Sequence, residues 1–394
     1  MSEPTAEVVI VGGGVVGLTL ALVLGRAGLP VALVEAKPVE TDWPAGTVDL
    51  RVYAMTRASE RLFDSLGVWT AIRDAGISPF QEMVVWDAGG PGHIHFDAAE
   101  LGQPWLGSII ESRVLVRALF EALQALPSVR LHIPQDVVDF HCCNDLQHVD
   151  LANGERLSAR LLVGADGAAS RLRDAAGIHV QQQSYGQKAL VTVVETERSH
   201  QATAWQRFLP SGPLAFLPLR DGRCSIVWSA TNQLADQLLA LPEADFCQRL
   251  GNAFDHRLGD ILACTERALF PLMRQHARDY VKPGVALVGD AAHVIHPLAG
   301  LGVNQGLNDV QVLAEVIIGA RQAGRNPGSY TTLRRYERAR RADNLLVMSA
   351  MDAFKQLFGA SAPPLRWARN TGMNLVDRLA PLKNRIARRA MGLD

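Results

Sequence analysis

Gly12-Gly13-Gly14-Val15-Val16-Gly17 sets glycines at the first, third and sixth places of a short segment, and Glu35 follows 18 residues after the last of them. That spacing suits a pyrophosphate flanked by riboses. Gly12 lets the chain turn tightly, Gly14 lets the backbone approach the phosphates, and Gly17 lets the next helix pack close to a sheet. The helix N-terminus presents bare N–H groups and positive dipole to the anion. An acid such as Glu35 then accepts hydrogen bonds from ribose hydroxyls. Two more glycine–aspartate groups stand far along the chain: Gly164-Ala165-Asp166-Gly167 with Ser170 and Arg173, and Gly289-Asp290-Ala291-Ala292-His293. His296, Pro297, Gly300 and Gly302 follow the third, ahead of a helical run from Val303 to about Ala323. Bare amides at that helix start suit partial negative charge, such as the N1–C2=O edge of a reduced flavin.

Each group needs a strand to aim it. Val8–Val11, Leu157–Val163 and Val285–Val288 are apolar runs of the kind buried on both faces of a parallel sheet. The helix after Gly17 is expected over Leu18–Ala27, stopped by Gly28 and Pro30, with a second strand at Val31–Val34. Ligands of open α/β sheets bind at the carboxyl ends of the strands, so three strand ends can converge on one extended dinucleotide. The intervening chain has a different grammar. Met83–Trp86 and His93–Phe96 flank Gly89–Gly92 as a hairpin, and Leu190–Thr196, Trp205–Leu209, Leu214–Leu219 and Cys224–Ser229 read as strands, the last two joined by Asp221-Gly222. The expected architecture is α/β: a Rossmann-type domain at residues 1–80, 98–180 and 276–345, an inserted mostly antiparallel β-sheet domain at 81–97 and 181–275, and a C-terminal helical section at 346–394. Trp86, Phe208, Phe216, Trp228 and Phe270 are candidates to line a substrate pocket, though each suits ordinary core packing as well.

The trio of motifs resembles the single-component, NAD(P)H-dependent aromatic hydroxylases typified by p-hydroxybenzoate hydroxylase. Within that group, Gly289-Asp-Ala-Ala-His-Val-Ile-His-Pro-Leu-Ala-Gly is similar to the signature of the ubiquinone-biosynthesis hydroxylases. So are Leu50-Arg51-Val52, Glu111-Ser112-Arg113-Val114-Leu115, Gly212–Pro218 and Met351-Asp352-Ala353-Phe354. The resemblance implies FAD as cofactor and NADPH or NADH as transient reductant. It implies hydroxylation of a polyprenylphenol by O₂ through a C4a-hydroperoxyflavin, with the C5 position favoured over C6 or C1. It also implies that Glu35 holds the adenosine ribose, Asp290 the ribityl or ribose hydroxyls, and Arg51 and Arg113 contact FAD. Asp166 would serve FAD and the nicotinamide, and Gly300, Gly302 and Val303 the flavin ring. No general base is assignable. Leu301 stands where members carry Gln, and Gln305 where they carry an apolar residue.

Composition narrows the partners. Lys plus Arg total 39 and Asp plus Glu 40 in 394 residues, a balance that gives no counterion-release drive toward nucleic acid. The five cysteines contain no C-x-x-C pair and read as reduced thiols of a cytoplasmic protein, with no metal site expected. His293 and His296 lack a third ligand, and no G-x-S-x-G supports a hydrolase. No W-x-W-x-I-P run supports a flavin halogenase. From Arg366 to Arg389 seven basic residues face one acid, Asp377, beside apolar Leu375, Val376, Leu379, Leu382 and Ile386. That section reads either as a solvated helix or as a peripheral surface for the inner membrane or for proteins of a ubiquinone-biosynthesis complex. A homo-oligomer and a flavin-bound scaffold without turnover remain as alternatives.

Overall fold

The computed structural model describes residues 4–295, 302–359 and 362–393. Val8–Val11 sits centrally in a six-stranded sheet, flanked by Leu161–Gly164 on one side and Val31–Val34 on the other, all parallel. Val285–Leu287 and Val129–His132 extend it in parallel, and Val281–Lys282 closes one edge antiparallel. The four-residue strands Val8–Val11 and Val31–Val34 are buried throughout, as strands covered on both faces must be. The helix Val15–Arg26 is buried nearly all round, with Leu18, Leu20, Leu22 and Leu24 all in the core that also holds Val8 and Ile10. Gly28 follows it with a φ of +75°, a left-handed turn that glycine adopts without strain.

One expectation needs correction. Leu157–Val163 is not one strand: Arg156–Ala159 pairs in a small three-stranded antiparallel sheet, and Leu161–Gly164 pairs with Val8–Val11. Exposed Arg160 marks the switch between sheets, which an unbroken apolar pattern on either side conceals.

The second large sheet is mostly antiparallel. Its order runs His293–Val294, Ala268–Ala277, Val180–Thr196, Cys224–Thr231, Gly212–Pro218, Thr203–Leu209, Glu82–Asp87, His93–Asp97. Thr203–Leu209 and Glu82–Asp87 pair in parallel, the exception to the expected pattern. Strand alternation divides its residues. Leu190, Phe216, Ile226 and Trp228 pack with Phe246 and Leu250 of the helix Glu243–Ala253, while Ala189, Val191 and Val227 point to the opposite face.

Three helices end the chain: Tyr330–Gly359, Pro363–Arg378 and Ala380–Met391. The first runs unbroken through residue 345, so the expected start of a separate section at 346 falls inside one helix. The second covers the edge strand His93–Asp97. Backbone N–H groups of His93 and His95 donate to Asn374 Oδ1 at 3.1 Å and Asp377 Oδ1 at 2.9 Å, satisfying a sheet edge that would otherwise be open.

Candidate functional site

The three glycine motifs interlock at the carboxyl ends of the parallel strands. The Gly12 N–H donates to Val34 O, Ala165 N–H to Val11 O and Val288 N–H to Gly164 O, at 2.8, 2.8 and 2.9 Å. A Cβ on Gly12 would lie 2.2 Å from Ala165 O, and one on Gly17 would lie 2.0 Å from Gly12 O. Neither position tolerates a side chain without moving backbone. The third motif docks on the first through Val16, which lies 3.4 Å from a Cβ position at Gly289 and 2.7 Å from one at Gly306. Arg173 joins the second to the third, its Nη1 donating to Ala168 O at 2.9 Å and Ala291 O at 3.3 Å. Ser170 caps the helix that carries Arg173, accepting the Arg173 N–H at 3.0 Å.

Gly14 differs from its neighbours. It is the exposed N-cap of Val15–Arg26 and has no side-chain cap, and a Cβ there would meet nothing within 4 Å. The helix therefore offers bare N–H groups beside an open backbone surface, as a pyrophosphate requires. Glu35 lies beside this loop. Its Oε2 accepts Gly13 N–H at 2.6 Å and its Oε1 accepts Lys37 N–H at 2.9 Å. Each oxygen keeps a lone pair for a ribose hydroxyl. Asp166 accepts Leu172 N–H at 3.2 Å through Oδ2, while its buried Oδ1 has no hydrogen-bond partner. These features fit FAD: a helix start for the pyrophosphate, an oriented acid for a ribose, and an unsatisfied carboxylate oxygen at the second strand end.

Asp290 lies in the short 3₁₀ turn Gly289–Ala291. Its side chain is accessible from the cleft but walled by protein, and this burial raises its carboxyl pKa against the opposing effect of His293 and Arg51. Arg51 thus faces the third motif electrostatically. Tyr53, which the sequence reading passed over, joins them: burial raises its phenol, and Ser112 and Arg51 oppose the rise. Arg113 opens the helix Ser112–Gln124, and its guanidinium is engaged locally. It donates to Glu111 Oε2 at 2.8 Å and Thr47 Oγ1 at 3.1 Å, and stacks 4.5 Å over Trp43. Asp49 ties it to Arg51, accepting the backbone N–H of each at 3.2 and 2.9 Å.

Gly302 begins the helix Gly302–Gln322, followed by Val303. Its backbone is not left-handed and a Cβ there would meet nothing within 4 Å, so any demand for glycine comes from a close approach and not from strain. His296, Pro297, Gly300 and Leu301 lie outside the described residues.

A buried polar network packs against Gly289 and His293. Asp309, fully buried on Gly302–Gln322, accepts from Gly289 N–H at 3.0 Å and Arg340 Nε at 2.8 Å, and sits 2.6 Å from His293 Nε2. Burial alone would raise the Asp309 pKa; His293 and Arg340 outweigh it and hold the carboxyl below its ordinary range. Arg340 also donates to Gln305 Oε1 and Asn344 Oδ1, both at 2.8 Å. Gln305 is therefore a member of this network. Asn344 Nδ2 lies 3.3 Å from the Tyr280 hydroxyl, which lies 3.1 Å from His276 Nε2. Most of these contacts join residues 16 to 64 apart in sequence, beyond any local spacing rule; only Arg340–Asn344 and His276–Tyr280 are four residues apart.

Of the five candidate aromatics, Trp86, Phe216 and Trp228 pack in the core on the helix-covered face of the sheet. Phe208 stacks on Phe358 at 3.7 Å and Phe270 is exposed. Away from the cleft, Glu243, Cys247 and Cys264 bring donor atoms within 4.8 Å of one another, a grouping that the cysteine spacing did not reveal.

A parallel sheet whose three strand-end motifs close on one cleft, faced by a mostly antiparallel sheet, defines the two-sheet fold of the FAD-dependent monooxygenases. A family model described as an FAD binding domain matches residues 5–349. Over 393 residues, all of both chains, the sequence is 41% identical to 3-demethoxyubiquinol 3-hydroxylase of Escherichia coli. It is 40% identical to ubiquinone hydroxylase UbiL of Rhodospirillum rubrum, covering 99% of this chain and 90% of the relative. Among solved structures, p-nitrophenol 4-monooxygenase of Pseudomonas putida superposes with a TM-score of 0.80 over 98% of this chain and 97% of its own, at 22% identity. The chain belongs to the family of FAD-dependent hydroxylases that the first two relatives represent.

Proposed function

We propose that the protein hydroxylates the ring of a polyprenylated phenol or quinol in ubiquinone biosynthesis, using NADPH or NADH as reductant. The convergence of all three glycine motifs on one cleft carries the reading, and the two full-length relatives supply the substrate class. Bound FAD supplies the oxygen chemistry. The chain's own residues hold and orient it. The Gly14 helix start takes the pyrophosphate, Glu35 a ribose, and Asp166 and Asp290 the hydroxyls toward the ring. Arg51 offsets negative charge beside Asp290, and Arg113 braces the loop that carries Arg51. The His293–Asp309–Arg340 network fixes the third motif from behind. The apolar face bearing Ala189, Val191 and Val227 packs with Leu50, next to Arg51, and would exclude water from the ring held there.

For the ring position, 41% identity to a 3-demethoxyubiquinol 3-hydroxylase favours a demethoxyubiquinol-type substrate. The competing reading, C5 of a polyprenylphenol, rests on the resemblance of Leu50-Arg51-Val52 and Gly92-His93-Ile94-His95-Phe96-Asp97 to the C5-hydroxylating branch of the family. Mass spectrometry of the product from each substrate separates them. Substrate-stimulated NAD(P)H oxidation with a hydroxylated product is the expected result; oxidation that no such phenol or quinol stimulates would leave the non-catalytic scaffold. We further propose that the C-terminal helices touch a membrane surface, since Trp367, Leu375, Leu379 and Leu382 are exposed there. Asp290→Ala should weaken FAD binding about tenfold or more, because lost buried hydrogen bonds cost about 1–3 kcal/mol each. Fluorescence titration of the folded variant measures it, and unchanged affinity removes Asp290 from the site.

A further inference from the structure

Two apolar cavities lie under the C-terminal helices, apart from the glycine-motif cleft. The larger, about 490 Å³, opens between the sheet and the helices Tyr330–Gly359 and Pro363–Arg378, with Val85, Phe208 and Met373 in its walls. The smaller, about 150 Å³, lies between Met55 and Ala387. Phe96 and Ile386 line both, so the two are neighbouring compartments divided by those side chains. The inner compartment also borders Ala54 and Thr56. Asn304, two residues after Gly302, clamps that strand: its Nδ2 donates to Ala54 O at 2.9 Å and its Oδ1 accepts Thr56 N–H at 3.0 Å. At the outer end, Phe354 and Leu357 line the cavity and are exposed.

We infer that this two-compartment path binds the isoprenoid tail of the substrate, running from beside the flavin-loop helix past Phe96 and Ile386 to the surface of the C-terminal helices. The inference rests on the polyprenylated substrate proposed above. The larger compartment falls within the ~300–1,000 Å³ of ligand pockets. An apolar cavity of about 150 Å³ stays dry and accepts benzene, and an isoprene unit has one carbon fewer. The charged group in the larger wall is already matched, since Arg369 Nη2 lies 2.6 Å from Asp87 Oδ2. A hydrocarbon chain therefore breaks no ion pair, and Gln206 is the other polar side chain it meets in that wall.

Two fillings test it. Gly372 lines the larger compartment, and a Cβ there meets nothing within 4 Å, so Gly372→Phe admits a ring without moving backbone, at a helical position where glycine is the poorer residue. Ala387→Phe fills the smaller. With FAD-loaded full-length protein, both variants should raise KM for a tetraprenyl substrate about tenfold or more, as loss of several buried methylenes implies. Activity toward a tail-less analogue and FAD content should stay as in the wild type. In parallel, geranylgeraniol should displace cis-parinaric acid from the wild type and not from the variants, a readout that needs no turnover. Unchanged KM for the tetraprenyl substrate in both filled variants overturns the tail path while leaving the proposed reaction in place. If the wild type hydroxylates neither substrate, the proposed reaction falls. Displacement then decides the path alone: lost in the variants it supports an isoprenoid site, equal in all three it refutes one.

Discussion

Gly12, Gly14 and Gly17 look equivalent in sequence and are not equivalent in space. A Cβ added to Gly12 or Gly17 would lie 2.2 or 2.0 Å from a backbone carbonyl oxygen, whereas Gly14 faces open space with an extended backbone. Gly17→Ala should therefore destabilise the fold itself by about 1–3 kcal/mol, as overpacking does. Gly14→Thr should leave the stability of FAD-free protein unchanged, because threonine caps a helix about as well as glycine, and still weaken FAD binding, because its side chain enters only the space where a pyrophosphate would lie. Denaturant melts paired with FAD titration distinguish the two, and equal stability losses would refute the division of roles. This division was partly legible in the sequence, where spacing assigned the tight turn to Gly12 and the packing contact to Gly17, as the structure has them. The sequence did not reveal that Glu35 also holds the loop through Gly13, or that Tyr53 stands beside Arg51. Those contacts depend on chain segments meeting side by side, which no motif encodes.

At the scale of elements, the third motif is held from two directions. His293–Val294 adds a short strand to Ala268–Ala277, so this motif belongs to the mostly antiparallel sheet as well as to the cleft. From behind, Asp309 and Arg340 link the helices Gly302–Gln322 and Tyr330–Gly359. Asp309→Ala would leave Arg340 buried without its main counter-charge, and should cost about 3–5 kcal/mol in a urea melt. A loss below about 1 kcal/mol would mean that the remaining partners carry the arginine unaided. The same network predicts an acid-sensitive step. Burial, with His293, Arg341 and Arg274 nearby, lowers the His276 pKa from about 6.5 to about 4. Between those values the unfolded chain binds the extra proton, so stability is complete above pH ~6.5 and falls as pH drops toward ~4, by up to about 1.4 kcal/mol per unit. His276→Gln should flatten that part of the stability profile; an unchanged slope would assign it to other groups. The strands and glycine helices behind these elements were readable because their apolar runs are local. The network was not, and the apolar residues on either side of Arg160 hid a change of sheet.

Across the whole molecule, the C-terminal charge pattern has a different meaning in space than in sequence. Lys383 is buried and sits 3.0 Å from Glu100, and Arg369 is buried against Asp87, so two of the seven basic residues brace the helices onto the β-rich half. The helices also expose hydrocarbon, at Trp367, Leu375, Leu379 and Leu382, together with Arg366, Arg378, Arg385 and Arg389. No helix among the described residues is long and apolar enough to cross a membrane. Contact with a bilayer would therefore be interfacial, driven mainly by apolar insertion and aided by the exposed arginines. The variant Trp367→Ser, Leu375→Ser, Leu379→Ser, Leu382→Ser should then bind phosphatidylglycerol-containing vesicles much more weakly than the wild type, even at about 0.5 M salt where surface charge is screened within a few ångströms. Arg385→Gln with Arg389→Gln should matter only at low salt. Turnover of a short-tailed substrate in detergent should be the same for all forms, since none of these residues borders the glycine cleft. Vesicle flotation that the serine variant leaves unchanged would remove the membrane surface, and the exposed hydrocarbon would then need a protein partner.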